Sequence, residues 1–223
     1  MTTDDAIRAF LELGAPFIAD GSQKVGLPRR IADPALRPLL PAKRIAGTVV
    51  TFRMRFHPTP QPLMAHSFAR AFAFGATVPS PVLVAESGLG IRSPFGGGAA
   101  RSFVHANLAG SIIDGTIRDL AEVRELDYQM FSRGISADSF VIERLPEGYI
   151  GADAGSPLSI GGVAVEQGDL VVADEDGIVF CRPEDADAVI EAAREILAEE
   201  EAVFRRWDAG ESYLTGLGLE AGN

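Results

Sequence analysis

Residues 82–119, VLVAESGLGIRSPFGGGAARSFVHANLAGSIIDGTIRD, decide the fold class. The apolar run at 82–85 predicts a buried strand, and the glycine-rich segment at 88–98 leads from it into a helical pattern. A second apolar run at 111–114 precedes a predicted helix at 117–126. Strands that alternate with helices indicate parallel βαβ units with right-handed crossovers. The stretch therefore predicts an α/β fold.

The flanking sequence extends this pattern toward both termini. We expect a capped N-terminal helix that ends at residues 14–16, turns over 20–41, a strand at 45–52, a helix at 63–75, a strand at 130–132, strands at 158–165 and 170–180, and a long acidic helix from 183 to about 207. These elements predict one mixed domain over residues 1–223 with helices at both ends.

Charge and composition exclude several classes of protein. The chain has 223 residues, 20 Lys plus Arg against 31 Asp plus Glu, and a net charge of −11, which argues against nucleic acid as the partner. The single cysteine, Cys181, excludes an intrachain disulfide and is typical of a reducing compartment. Neither a membrane span nor a basic signal region is present, so we expect a cytoplasmic protein with no membrane partner.

Two segments carry candidate chemistry. The glycine-rich segment 88–98 lies where a strand meets a helix, and backbone amides at such a junction bind anions; a merely flexible loop is an equal alternative. Arg118 and Asp119 follow the next strand, where ligands collect in open α/β sheets. Arg118 can bind a carboxylate and Asp119 a hard divalent cation. The competing interpretation is a structural ion pair at a helix N-terminus.

Other polar motifs favour structural roles. The run Asp174-Glu175-Asp176-Gly177 lacks the spacing of a calcium loop and predicts a turn between two strands. The three histidines, His57, His66 and His105, have no metal-binding spacing. Cys181 has no basic neighbour in sequence that would make it a nucleophile. The arginines at positions 29, 30 and 37 favour a solvated surface, with contact to a substrate carboxylate as the alternative.

The order of several motifs resembles one family. These motifs are Leu36-Arg37-Pro38-Leu39, Val82-Leu83-Val84, Ala109-Gly110-Ser111-Ile112-Ile113-Asp114-Gly115-Thr116-Ile117-Arg118-Asp119, Phe131-Ser132-Arg133-Gly134, Ile160-Gly161-Gly162-Val163 and the run from Gly168 to Gly177. Together they resemble the RraA-like family, which includes class II pyruvate aldolases acting on 4-hydroxy-4-methyl-2-oxoglutarate, oxaloacetate decarboxylases and the regulator of ribonuclease activity A.

The resemblance implies a fold, an assembly and a site. The expected fold is a three-layer mixed-sheet sandwich like the swivelling phosphohistidine domains, assembled as a homotrimer or homohexamer. By resemblance, Arg118 binds the pyruvyl group of a small 2-oxo acid and Asp119 holds Mg²⁺ or Mn²⁺. The segment around Gly96, Gly97, Gly98 and Ala99 would bind the substrate carboxylate through backbone amides.

One position departs from the family pattern. The aldolases carry an acidic residue where this chain has Gly97, with 20 residues between that position and Arg118. Three hypotheses follow: a metal-dependent lyase that cleaves a C–C bond by retro-aldol reaction or decarboxylation, a non-catalytic protein-binding regulator, and a divergent enzyme that uses the space at the glycines for a bulkier substrate.

Overall fold

The computed structural model describes residues 1–139, 144, 145 and 147–219. The helices are α1 (Thr3–Lys24), α2 (Met64–Gly75), α3 (Gly97–His105), α4 (Leu120–Glu125), α5 (Ala186–Asp208) and α6 (Tyr213–Gly216), with a 3-10 helix at Pro183–Asp185. The strands are β1 (Arg30–Ile31), β2 (Arg37–Pro38), β3 (Ile45–His57), β4 (Pro81–Gly88), β5 (Gly110–Ile117), β6 (Met130–Ile135), β7 (Arg144–Leu145), β8 (Gly148–Ala154), β9 (Leu158–Ile160), β10 (Val163–Val165), β11 (Leu170–Ala173) and β12 (Ile178–Cys181).

A mixed sheet of ten strands forms the centre of the fold. Its main path is β1-β12-β11-β3-β4-β5-β6-β2, and β8 pairs with β3. The pairs β3–β4, β4–β5 and β5–β6 are parallel, which confirms the predicted βαβ units. Because each crossover moves one strand along the sheet and is right-handed, α2, α3 and α4 all lie on the same face.

Alternate residues of the strands pack into cores on opposite faces of the sheet. Val50 and Leu83 face one core with α2, α3 and α4, whereas Val49 and Val82 face the β9–β10 hairpin. Helices α1 and α5 cover β11 and β12 through a third cluster. The result is a layer of helices, a mixed sheet and a β-hairpin layer, in agreement with the predicted α/β sandwich. Among the described helices, none is long and apolar enough to cross a membrane.

The first helix is interrupted where the sequence indicated, and a second segment that was not predicted follows the break. Thr2 caps the helix through a reciprocal capping box with Asp5, and helical geometry ends at Gly14, within the predicted 14–16. The helix kinks at Gly14, whose φ is 84° and ψ 171°, and continues to Lys24. Asp174 Oδ2 accepts the backbone N–H of Ala15 at 2.9 Å, which supplies a hydrogen-bond partner at the kink. The predicted turn region over 20–41 therefore begins with helix and also contains β1 and β2.

Two further boundaries differ from the prediction. Ile117 ends β5 rather than beginning a helix, because it forms a parallel bridge with Phe95 that extends the sheet. The predicted strand at 158–165 is two strands, since Gly161 and Gly162 both adopt positive φ and turn the chain between β9 and β10. Strand β8 had no counterpart in the prediction.

Candidate functional site

The glycine-rich loop after β4 is held at its end by Phe95. This side chain is buried, and its ring packs against Phe103 at a centroid distance of 5.6 Å. The Phe95 carbonyl accepts the backbone N–H of Arg118 at 3.1 Å. Two loops that follow neighbouring parallel strands are thereby joined, so residues near 96–99 and 118–119 meet at the carboxyl ends of β4 and β5.

The first turn of α3 brings backbone N–H groups to this edge of the sheet. Gly96 is the N-cap, and the first helical hydrogen bond runs from Ala100 N to Gly96 O at 2.9 Å. The N–H groups of Gly97, Gly98 and Ala99 therefore precede the helical ladder and point out of the helix N-terminus. Gly97 N donates to Asp119 Oδ2 at 3.1 Å. The amides of Gly98 and Ala99 can receive an anion, as the resemblance implied.

Asp119 lies in a backbone conformation that few residues adopt. Its φ of 55° and ψ of 42° are left-handed, at the N-cap of α4. The carboxylate makes no capping bond to its own helix and contacts α3 instead. Arg118 Nε lies 3.4 Å from Asp119 Oδ2, and both side chains are over one-third exposed. The left-handed backbone thus directs the carboxylate toward the first turn of α3 rather than along α4.

Glu122 is a site residue that the sequence interpretation missed. A Cβ atom built on Gly97 would overlap Glu122 Oε2, so this carboxylate fills the space that a side chain at position 97 would need. The family pattern expects an acidic residue at that position. The sequence carries only part of the signal: Asp119 and Glu122 are three residues apart at a helix start, but the contact between Glu122 and Gly97 depends on how α4 packs beside α3.

The three glycines leave less room than the sequence suggested. A Cβ on Gly96 would overlap Asp119 Oδ2, and one on Gly97 would overlap Glu122. Only Gly98, of these three, opens onto free space. The idea that all three glycines make room for a bulkier substrate is therefore wrong, because the site's own carboxylates occupy two of the three positions.

The donor set fits a hard divalent cation. Asp119 and Glu122 offer carboxylate oxygens on adjoining parts of the α3 N-terminus, and Mg²⁺ binds through one or two carboxylates with water and substrate oxygens completing its shell. Within the described ranges, no group of three or more His, Cys, Asp or Glu side chains could hold a metal by itself. Any cation here would therefore depend on these two carboxylates and on oxygen atoms from water or ligand.

The remaining candidates lie away from this site. Asp174 is buried in the turn between β11 and β12, where it accepts Arg44 Nε at 3.1 Å, so the predicted structural turn is confirmed. Arg30 donates to Asp169 Oδ2 at 2.7 Å and is not the freely solvated side chain that we expected. Arg37 lies in the edge strand β2. Burial raises the pKa of the Cys181 thiol to about 12, which agrees with its predicted lack of nucleophilicity.

Comparison with known proteins identifies the family. The model of the RraA-like family, described as Aldolase/RraA, matches residues 15–180. The chain belongs to the RraA-like family. A relative from Deinococcus radiodurans, named "Putative 4-hydroxy-4-methyl-2-oxoglutarate aldolase", is 33% identical over 149 residues, which cover 66% of this chain and 84% of the relative. An uncharacterised protein of Methanocaldococcus jannaschii is 24% identical over 83% of this chain and 84% of its own length.

Two solved structures share the fold. An uncharacterised protein from Pseudomonas syringae superposes with a TM-score of 0.78 at 21% identity, covering 96% of this chain and 93% of that one. Streptomyces coelicolor RraAS2, described as an unusual member of the RNase ES inhibitor RraA protein family, gives 0.73 at 22% identity over 91% and 96%. At these identities the similarity shows the RraA-like architecture.

Proposed function

We propose that this RraA-like protein is a divalent-metal-dependent lyase that cleaves a C–C bond of a small 2-oxo acid. One observation carries the proposal: Glu122 occupies the space at Gly97, so the site has two carboxylates, Asp119 beside Arg118 and Glu122 beside Gly97, despite the missing acidic residue. Relatives named as aldolases support the same reaction class. By its chemistry, the substrate is an anion with a ketone next to its carboxylate.

The chain's own groups would bind and orient this substrate. Arg118 and the free amides of Gly98 and Ala99 would bind the C1 carboxylate, since a guanidinium and a helix N-terminus both favour an anion. Asp119 and Glu122 would hold Mg²⁺ or Mn²⁺, which supplies Lewis-acid stabilisation of the negative charge that develops on the 2-oxo oxygen. Asp119 is in turn oriented by the Gly97 amide.

The proposed reaction breaks one C–C bond of the substrate and forms the enolate of pyruvate. In the retro-aldol reaction the C4 hydroxyl loses its proton to solvent, the C3–C4 bond breaks, and the electron pair moves into the pyruvate enolate. Side chains at the site are partly exposed and Gly98 opens onto free space, so water can return a proton to C3 of the enolate. Decarboxylation of oxaloacetate would form the same enolate with release of CO₂.

The test measures pyruvate release from 4-hydroxy-4-methyl-2-oxoglutarate and from oxaloacetate, with Mg²⁺, with Mn²⁺ and with a chelator. We expect metal-dependent release from the wild type. Asp119→Asn should lower kcat by about 10²–10³, the range for removing one group that stabilises transition-state charge. The matched control is Glu125→Gln at the last residue of α4, which should keep wild-type turnover. Metal-dependent turnover that survives Asp119→Asn would contradict the proposal.

A binding role is the second candidate function. The Streptomyces relative is described as a member of an RNase inhibitor family, and the net charge of −11 suits a basic protein partner. That role predicts a stoichiometric partner on purification from its host, no pyruvate release and no effect of Asp119→Asn on the complex. As implied by the resemblance, we further propose a cytoplasmic homotrimer or homohexamer, which light scattering of the purified protein would test.

A further inference from the structure

A cavity of about 480 Å³ lies beside strand β12 and is lined by residues from the end of α1 and from β10. This volume is within the range of small-molecule sites in proteins. Cys181 on the cavity wall pairs with Leu170, which pairs with Thr48 beside the first residue of β4. The proposed active site follows the last residues of β4 and β5. The cavity and the proposed active site are therefore at opposite ends of the central strands.

Part of the cavity wall is apolar. Leu27 after α1, Val163 in β10 and Phe180 in β12 line it. Phe180 is buried in the protein, and Leu27 and Val163 are partly buried. A ligand with an apolar body would remove more of this surface from water, which is favourable. The wall therefore favours a ligand that carries an aliphatic or aromatic group.

Two exposed arginines line the same cavity with donors to spare. In the part of the chain that the structure describes, the Arg29 side chain makes no hydrogen bond or ion pair. The Arg182 guanidinium contacts only Glu184, at 4.0 Å, and its side chain is 59% exposed. A pair at that distance and exposure is weak. Guanidinium groups with free N–H donors bind carboxylates.

A third arginine, Arg30, forms part of the cavity wall. Its Nη2 donates to Asp169 Oδ2 at 2.7 Å, so a carboxylate already compensates its charge. Its Nη1 is buried and has no hydrogen-bond partner among the described residues. Buried polar groups nearly always have a partner, which can be a bound water or ligand. An anion in the cavity would therefore lie beside an arginine whose hydrogen bonding is incomplete.

Two carboxylates line the cavity together with these arginines. Glu166 follows β10, and Asp185 is the N-cap of α5 without a side-chain capping bond. Within the described ranges, neither carboxylate takes part in a hydrogen bond or an ion pair. Apart from the Arg30 pair, the cavity thus has two positive and two negative groups. A ligand with a single charge would meet groups of its own sign, whereas a zwitterion is complementary to both.

We propose that this cavity binds an α-amino acid with an apolar side chain. The two exposed arginines bind its carboxylate, the two carboxylates bind its ammonium group, and the apolar wall contacts its side chain. This site does not depend on the proposed lyase reaction, because it shares no residue with the active site. It gives Arg29 and Arg30 a ligand other than the 2-oxo acid, where the sequence favoured a solvated surface.

Calorimetric titration of the purified protein with L-phenylalanine and L-leucine tests the ligand class. Two analogues of the tighter ligand then remove one charge each. For phenylalanine these are 3-phenylpropanoate and 2-phenylethylamine, and for leucine they are 4-methylpentanoate and 3-methylbutylamine. The amino acid should bind at least about tenfold more tightly than either analogue, since each analogue loses a charge-assisted hydrogen bond.

Variants at the cavity identify where the two charges bind. Arg29→Gln should weaken the amino acid by about 10- to 100-fold without weakening the amine analogue. Glu166→Gln should weaken the amino acid and the amine but leave the acid analogue unchanged. Both side chains are exposed and unpaired among the described residues, so we expect both variants to fold. The matched control is Arg205→Gln on α5, which removes an exposed arginine outside the cavity and should change nothing.

Three results would overturn the inference. If neither amino acid binds at millimolar concentration, the cavity does not take this class of ligand. An acid analogue that binds as tightly as the amino acid would make the cavity a plain anion site. Affinity that survives both Arg29→Gln and Glu166→Gln would place the ligand elsewhere. Asp119→Asn should keep amino-acid binding, so failure of the proposed lyase reaction and failure of this site are separate outcomes.

Discussion

At the scale of single residues, any side chain placed at position 97 would need the space that the Glu122 side chain occupies. A side chain at position 97 would overlap the Glu122 carboxylate, so only one of the two positions can supply the acid. Gly97→Asp should therefore displace Glu122, cost about 1–3 kcal/mol through overpacking, and weaken Mg²⁺ binding. The double variant Gly97→Asp with Glu122→Ala should recover both stability and Mg²⁺ affinity, because the new carboxylate then has room.

The measurement is a Mg²⁺ titration combined with chemical denaturation of the wild type, the two single variants and the double variant. Glu122→Ala alone should bind Mg²⁺ weakly but unfold at a denaturant concentration close to that of the wild type, since Glu122 is half exposed. A double variant no better than Gly97→Asp would show that the two positions are not interchangeable, and the site would then depend on Asp119 alone.

At the scale of secondary-structure elements, the local sequence pattern predicted those strands and helices that depend mainly on interactions between residues close in the chain. The apolar runs and the alternation of strand and helix correctly indicated β3 through β6 and their crossovers, and the family resemblance pointed to Arg118 and Asp119. Glu122 was missed because its role depends on α4 packing beside α3, a contact that spacing alone does not specify. The end of β5 was misplaced for a related reason, since the bridge between Ile117 and Phe95 joins residues far apart in the chain.

The kink of α1 at Gly14 predicts how much a substitution at this position should lower the free energy of unfolding. Gly14 has a φ of 84°, and a Cβ there would lie 2.5 Å from Arg44 Nη2 and 3.1 Å from Asp174 Oδ2. Gly14→Ala should lower the free energy of unfolding by about 2–3 kcal/mol through backbone strain and crowding. Gly26 is the matched control, because its φ of 78° is also positive but nothing lies within 4 Å of an added Cβ.

Gly26→Ala should cost only about 1 kcal/mol, which corresponds to the left-handed backbone alone. Urea denaturation of the two variants and the wild type measures the difference. Equal losses in both variants would show that neither the contact with Arg44 and Asp174 nor the extended ψ of 171° at Gly14 adds to the cost. Neither substitution lies near α3, so the Mg²⁺ affinity of the folded variants should match that of the wild type.

At the scale of the whole molecule, the reactivity of the Cys181 thiol shows whether the core beneath α1 and α5 is folded. Cys181 is buried in the cluster that these helices form with β11 and β12. Its pKa is raised from 9.0 to about 12, first by burial and then by the nearby charge of Asp185. Native protein should therefore resist thiol-specific reagents at pH 8, and labelling should become fast only at denaturant concentrations that unfold this core.

Because the pKa of the Cys181 thiol is higher in the folded protein than in the unfolded chain, the protein loses stability as the pH rises above 9. As pH rises above 9, the thiol ionises in the unfolded chain but stays neutral in the folded protein until pH approaches 12. The contribution of Cys181 to stability is therefore complete below pH 9 and declines above it, by about 1.4 kcal/mol at pH 10. Cys181→Ala lacks this decline, although the lost side chain lowers its stability at every pH.

The free energies of unfolding at pH 8 and pH 10 should therefore differ more in the wild type than in Cys181→Ala. Burial also raises the pKa of the Tyr128 hydroxyl, but Tyr128 is present in both proteins and cancels from the comparison. Equal pH dependence in the two proteins would mean that the Cys181 thiol is solvated in the native state, contrary to its position beneath α1 and α5.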